Sequence, residues 1–160
     1  ATEVERFGKL AGTETEAARE ASAYRDRLKV LTRKYSTESS VSTFYQIWHQ
    51  PLATVVGEQI ISSVIHLCGG KNVFGNLKQL APVVSIESVI AANPEAIIAS
   101  GSDASRPEWL DRWKDWKMIK AVKQDNLFSI PPELMQRHTF RLLDGAQMLC
   151  EQLSVTRSRR

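Results

Sequence analysis

The residues best equipped for chemistry in this chain lie in the turn Trp48-His49-Gln50-Pro51-Leu52. It gathers an indole, an imidazole, a carboxamide and an aliphatic group around a proline, whose fixed φ stiffens the turn. Those groups suit binding: flat apolar cover plus a few hydrogen bonds. The plain alternative is that Trp48 finishes a core strand and His49 is a solvated loop residue. A second turn, residues 131–138, carries Glu133, Leu134, Met135 and Arg137. Its acid and guanidinium could simply pair at a helix start, where the helix dipole favours an acid. Glu87 follows Ser85 in the same kind of place. Catalysis has no comparable signal, since a nucleophile elbow, a Walker lysine and a GxGxxG loop are all missing, and we expect no enzyme. SGSDASR, residues 100–106, lacks the P-loop lysine and serves as an ordinary β–α loop. His49, His66 and His138 are scattered, so no metal site is expected.

The 160 residues suffice for one domain with a real core, and 42% apolar and 24% charged residues are ordinary for a globular chain. The net charge of +3 is supplied by Arg157, Arg159 and Arg160 at the extreme end. The body is near neutral, so nucleic acid, which needs a basic face, is not an expected partner. Residues 155–160 are expected to be a frayed, solvated basic tail. No run of about 18 apolar residues could span a membrane. The chain opens without Met, without a signal-peptide pattern and inside a helical pattern, as expected of a mature or truncated product. Cys68 and Cys150 each close a helical pattern. They are either buried free thiols or a disulfide, which would imply an oxidising compartment and stabilise the fold by roughly 4 kcal/mol.

These candidates need elements to hold them. Residues 2–11 predict a short helix with Val4, Phe7, Leu10 and Ala11 on one side, stopped by Gly12. Thr13 and Glu16 form a capping box for a long helix. Its apolar stripe is Ala17, Ala21, Tyr24, Leu28, Leu31 and Tyr35, which fits a helix flanking a domain or a coiled-coil seam. Strand and helix patterns then alternate: strand 41–48, helix 55–68 ended by Gly69-Gly70, an extended piece at 82–84, and a helix 86–92 capped by Ser85. Strand 96–100, helix 108–116, strand 127–130 and helix 140–153 follow. This alternation predicts an α/β three-layer sandwich with a mainly parallel sheet, preceded by a long flanking helix. The expected organisation is a helical segment over 1–36, a lobe over 37–154 and the tail over 155–160. The turns at 48–52 and 131–138 both follow strands, at the carboxyl ends where open sheets bind ligands.

In that order, FYQIWHQPL, CGGKNVFG, PVVSIESVIAANPEAIIAS and a final helix with a cysteine resemble a known family. The chain is similar to the carboxyl-terminal lobe plus inter-lobe helix of periplasmic cobalamin-binding proteins, which belong to the class III substrate-binding proteins of ABC importers. The resemblance implies a periplasmic lobe that captures cobalamin as transported ligand, not as a cofactor, and delivers it to an ABC permease. It implies that Trp48 and Leu52 cover the corrin while His49 or Gln50 bonds its amide arms. It further implies that Glu133 and Arg137 bond corrin amides, a fitting pair because a primary amide both accepts and donates; Leu134 and Met135 would add apolar contact. Cobalt ligation by His49 is not implied. Glu87 matches the glutamate that docks on permease arginines, and Ala81 stands where a relative has an aromatic. The resemblance also implies that this chain lacks the amino-terminal lobe of the clamp, which would leave the apolar stripe from Val4 to Tyr35 free for self-association. The alternatives are a class III lobe for a ferric siderophore or haem, or a module dimerising through its long helix.

Overall fold

The computed structural model describes residues 1–79, 82–101, 105–137 and 139–160. Two helices come first. α1 (Thr2–Ala11) ends at Gly12, whose φ of 71° is the left-handed conformation that lets the chain reverse. α2 (Glu14–Tyr35) returns against it. The crossing is close because residue 8 is glycine: a Cβ there would lie 2.3 Å from the Ala17 Cβ. Glu5 and Arg25 add a bidentate pair at 2.7 and 2.8 Å. The expected capping box does not form. The Thr13 N–H already donates to the Gly8 carbonyl at 2.9 Å, and the Thr13 side chain makes no cap bond.

The rest is an α/β sandwich. β1 (Val41–His49) is central, flanked on one side by β4 (Ala96–Ala99) and then β5 (Leu127–Ser129), all parallel. Its other edge is shared. β3 (Gly70–Asn72) runs parallel to Val41–Thr43, and β2 (Leu52–Thr54) folds back antiparallel on Gln46–His49. One face of the sheet carries α2, α3 (Ile60–Leu67) and α7 (Leu142–Ser158) over Val41, Tyr45, Ile98 and Ile130. The other face carries α4 (Ile86–Ala92), a 3₁₀ helix (Glu108–Asp115) and α5 (Lys120–Lys123) over Phe44, Ile97, Ala99 and Leu127. α6 (Pro132–Met135) is a single turn after β5. The three-layer expectation holds, and the α2 stripe packs as a flanking helix: Ala17, Ala21, Leu31 and Tyr35 are buried, with Tyr24 and Leu28 at the margin of the core.

Several local expectations change. Leu52 was read as part of a loop and residues 55–59 as helix; the first belongs to β2, and α3 begins only at Ile60. The segment expected as a helix over 108–116 is 3₁₀ rather than α, and it ends at Asp115. β3 begins at the second glycine of the pair, with Gly69 at a φ of 71° making the turn. Residues 155–160 are not frayed. α7 runs to Ser158, and the arginines close its end onto the sheet. Arg157 donates to the carbonyls of Ser39 and Cys68, both at 2.7 Å. Arg159 donates to the Asp125 carbonyl at 2.6 Å, and Arg160 pairs with Glu95 at 3.0 Å and bonds the Ser40 carbonyl. Helix carbonyls at a C-terminus favour cations, and here those cations also find acceptors. Cys68 and Cys150 are joined as a disulfide between α3 and α7, both fully buried.

Candidate functional site

A cleft of about 640 Å³ opens at the carboxyl rim of the parallel strands. Ile47 and Trp48 from β1 form one wall, Ile60 and Ile61 of α3 another, and Met135 and Gln136 after β5 a third. Gly101, past β4, completes the lining, and its lack of a side chain makes room for Pro107, whose Cγ would lie 2.8 Å from a Cβ there. Both turns singled out from the sequence lie on this rim.

The strand geometry decides which side chains enter. Direct cross-strand partners share a face, and His49 pairs with Leu52 while Trp48 pairs with Ala53. The pairing points the Cβ atoms of His49 and Leu52 to the sheet face opposite that of Trp48, yet at the strand end the Trp48 and His49 rings still meet, with centroids 5.2 Å apart. Leu52 packs near Phe44, and the His49 ring stacks on Trp109 with centroids 5.5 Å apart. The register shifts between Gln46 and Trp48, a bulge that places Ile47 and Trp48 consecutively on the cleft face. Trp48 is 42% exposed, and its indole N–H donates to the Gln50 carbonyl at 3.0 Å, which holds the ring at the rim. Gln50 itself sits exposed at the hairpin tip.

Of the residues expected to bind, Trp48 and Met135 line the cleft, whereas His49, Gln50, Leu52, Glu133 and Arg137 do not. Met135 is fully buried and forms floor. Glu133 is half-buried and Arg137 exposed, and they make no ion pair with each other. Ala81 and His138 lie outside the described residues. Glu87 is exposed at the start of α4, where its own backbone N–H and then Ser85 hold its carboxyl below the usual range. Ser85 caps that helix as expected, accepting from the Ser88 N–H.

Residues that the sequence reading passed over complete the wall. Glu58 and Gln59 line the cleft from the loop 55–59, and Gln136 lines it opposite. Asn72, inside the CGGKNVFG motif, holds that loop. Its amide donates to the Val55 carbonyl and to Ser62 Oγ, both at 2.8 Å, and its Oδ1 accepts from the Phe74 N–H. Ser62 in turn donates to the Val56 carbonyl at 2.7 Å, and Gln59 Oε1 accepts from the Val56 N–H at 3.0 Å. A separate hollow of about 450 Å³ at the opposite rim, lined by Thr32, Glu38, Ser63, His66 and Gly70 among others, contains none of the expected site residues.

A family model described as periplasmic binding protein matches residues 1–134. The chain belongs to the periplasmic binding protein family. Among its relatives in that family, a vitamin B12-binding protein of Vibrio campbellii is 33% identical over the whole chain, and one of Vibrio parahaemolyticus is 30% identical over the same span. The chain spans 58% of the length of each. A crystal structure of the periplasmic vitamin B12-binding protein of Vibrio cholerae superposes with a TM-score of 0.78 at 28% identity, over 91% of this chain and 55% of that one. A possible iron-binding periplasmic protein of Staphylococcus epidermidis reaches 0.82 at 18% identity, over 94% of this chain and 59% of that one, which speaks to the fold alone. Among the described residues no helix is long and apolar enough to cross a membrane.

Proposed function

We propose that this chain is the carboxyl-terminal half of a cobalamin-capturing clamp, the binding component of a vitamin B12 ABC importer working in the periplasm. The observation that carries the reading is an open cleft with an exposed indole and an apolar floor at the strand carboxyl rim. It occurs in a chain whose relatives over its full length are vitamin B12-binding proteins. Cobalamin is cargo here, not a cofactor. Trp48, Ile47 and Met135 would cover apolar parts of the corrin. Glu133 and Arg137 stand outside the cleft, where they would meet the amide arms at the edge of a ligand larger than it. His49, Gln50 and Leu52, which do not line the cleft, would shape the Trp48 turn instead. Glu87 would dock on the permease.

The surface of α1 supports a second lobe in the whole protein. Phe7 and Leu10 stay 66% and 85% exposed, so this part of the amphipathic stripe has no cover among the described residues. Such a face serves a partner lobe or, without one, a second copy of the chain. Equilibrium dialysis of the chain, alone and joined to the amino-terminal lobe of the Vibrio campbellii relative, tests the reading with cobalamin, a ferric hydroxamate and haem. Preference for cobalamin supports it. Binding of the ferric hydroxamate or haem without cobalamin would replace it with the other class III reading.

A further inference from the structure

Four exposed lysines recur every third residue, Lys114, Lys117, Lys120 and Lys123, from the end of the 3₁₀ helix through α5. Folding groups them: Lys114, Lys117 and Lys123 line one hollow of about 440 Å³ with Val122 and Asp125. Asp111 pairs with Lys114 at 2.9 Å but is shared with Arg106 at 2.8 Å. Among the described residues Lys117, Lys120 and Lys123 make no ion pair. Arg159 adds a guanidinium beside the hollow, donating to the Asp125 carbonyl at 2.6 Å. The further acids of this stretch, Asp115 and Asp125, are outnumbered. Between Lys117 and Lys120, Met118 stands 57% exposed, and the half-buried Trp116 packs on Trp113 with ring centroids 5.3 Å apart. The patch lies at the amino rim of the sheet, away from the cleft. α5 feeds the amino end of β5, and the Lys120 N–H donates to Asn93 Oδ1 at 2.9 Å, at the far end of α4 from Glu87.

We propose that this rim is a docking surface for an anionic lipid bilayer. An ammonium is a compact point charge on a flexible stem, which suits mobile phosphate headgroups. A fixed carboxylate or phosphate on a folded partner would favour the planar fork of arginine. Met118 supplies an apolar group that enters the interface while the lysine heads on either side reach the phosphates. A lysine near such a surface contributes about fivefold to partition, so Lys117, Lys120 and Lys123 together contribute about a hundredfold. Docked this way, the lobe holds its cleft and Glu87 away from the lipid. The inference is independent of what the cleft binds.

The test is co-sedimentation of the chain with vesicles of phosphatidylcholine alone and of phosphatidylcholine mixed equally with phosphatidylglycerol. The chain should pellet with the mixed vesicles at low salt and come off at about 0.5 M NaCl, where screening shrinks to about 4 Å. Replacing Lys117, Lys120 and Lys123 with glutamine should weaken that binding about a hundredfold, and Met118→Ser about threefold. Melts and far-UV dichroism should not change, because all four side chains are exposed. Inorganic phosphate should release no more protein than chloride at matched ionic strength. Full pelleting of the triple variant, equal binding to both vesicles, or binding to neither overturns the inference. Release by phosphate beyond matched chloride overturns it in favour of a free-anion site. Unchanged vesicle binding by Met118→Ser overturns it in favour of a soluble polyanion. Whether the cleft takes cobalamin alters none of these outcomes.

Discussion

Removing the Cys68–Cys150 link, by reduction or by replacing both residues with alanine, should cost stability without touching the site. The bond closes a separation of 82 residues. In the chain-entropy description, a loop of that length restricts the unfolded chain by about 15 cal/mol/K, or about 4.5 kcal/mol at 25 °C. Unfolding entropy runs at roughly 2.1 cal/mol/K per residue, so over this chain the loss lowers Tm by about 13 °C. That is a large share of the roughly 5–15 kcal/mol that a domain has in total. The cleft is spared by distance. Cys68 follows the last turn of α3, whereas Ile60 and Ile61 line the cleft from its first, and eight helical residues span about 12 Å. Urea titrations and thermal melts of the oxidised, reduced and doubly substituted proteins would measure the cost, and dialysis at 25 °C would measure ligand binding. The reduced protein isolates the link; the alanine pair adds the packing lost at two fully buried sulfurs. A loss below about 1 kcal/mol on reduction would refute the loop-entropy argument. Loss of binding with native far-UV dichroism would refute the separation of link from site.

Three further outcomes follow from particular contacts. Glu95 accepts from the Ser42 N–H at 2.9 Å, Ser42 Oγ at 3.0 Å and Arg160 at 3.0 Å; burial opposes ionisation, but these donors win and hold its carboxyl below the usual range. A depressed folded value gives stabilisation that is present above the unfolded carboxyl value of about 4.3 and lost as pH falls through the folded one. Glu95→Gln should thus cost about 1–3 kcal/mol near pH 7, with wild type and variant converging in acid; parallel urea midpoints across that range would contradict this. Gly8→Val should force α1 off α2, since even a Cβ sits 2.3 Å from Ala17 Cβ, at a local cost of about 1–3 kcal/mol. Hydrogen exchange should then rise in α1 while the global transition moves little, and unchanged α1 protection would count against the close crossing. Replacing Phe7 and Leu10 with serine should lower the apparent mass in light scattering if that bare face drives association, and a wild type that is already monomeric at high concentration would dismiss the idea.

Periodicity alone carried the layered α/β class, the flanking helix and the capped α4, because burial on one face writes a 3.6-residue or two-residue rhythm into the chain. The same rhythm was silent on elements too short to show it: β2, β3, α5 and α6. The basic end misled because charge says nothing about acceptors, and only folding brings the carbonyls of Ser39, Cys68 and Asp125 to Arg157 and Arg159. The pairing of Cys68 with Cys150 was open in the chain and became definite only when α3 and α7 packed together.

The amino-acid sequence by itself determined that the turns at 48–52 and 131–138 share a rim, since strand, turn and helix order in a parallel sheet leaves them no other end. Tertiary structure decided which side chains look into the cleft. The antiparallel return of β2 keeps His49 and Leu52 out of the cleft lining, with the His49 ring held between Trp48 and Trp109, and the bulge brings Ile47 beside Trp48. Side-chain facing depends on register, a relation between segments, and no single segment contains it. Asn72 acquires its role in the same way, from neighbours distant in the chain, Val55 and Ser62.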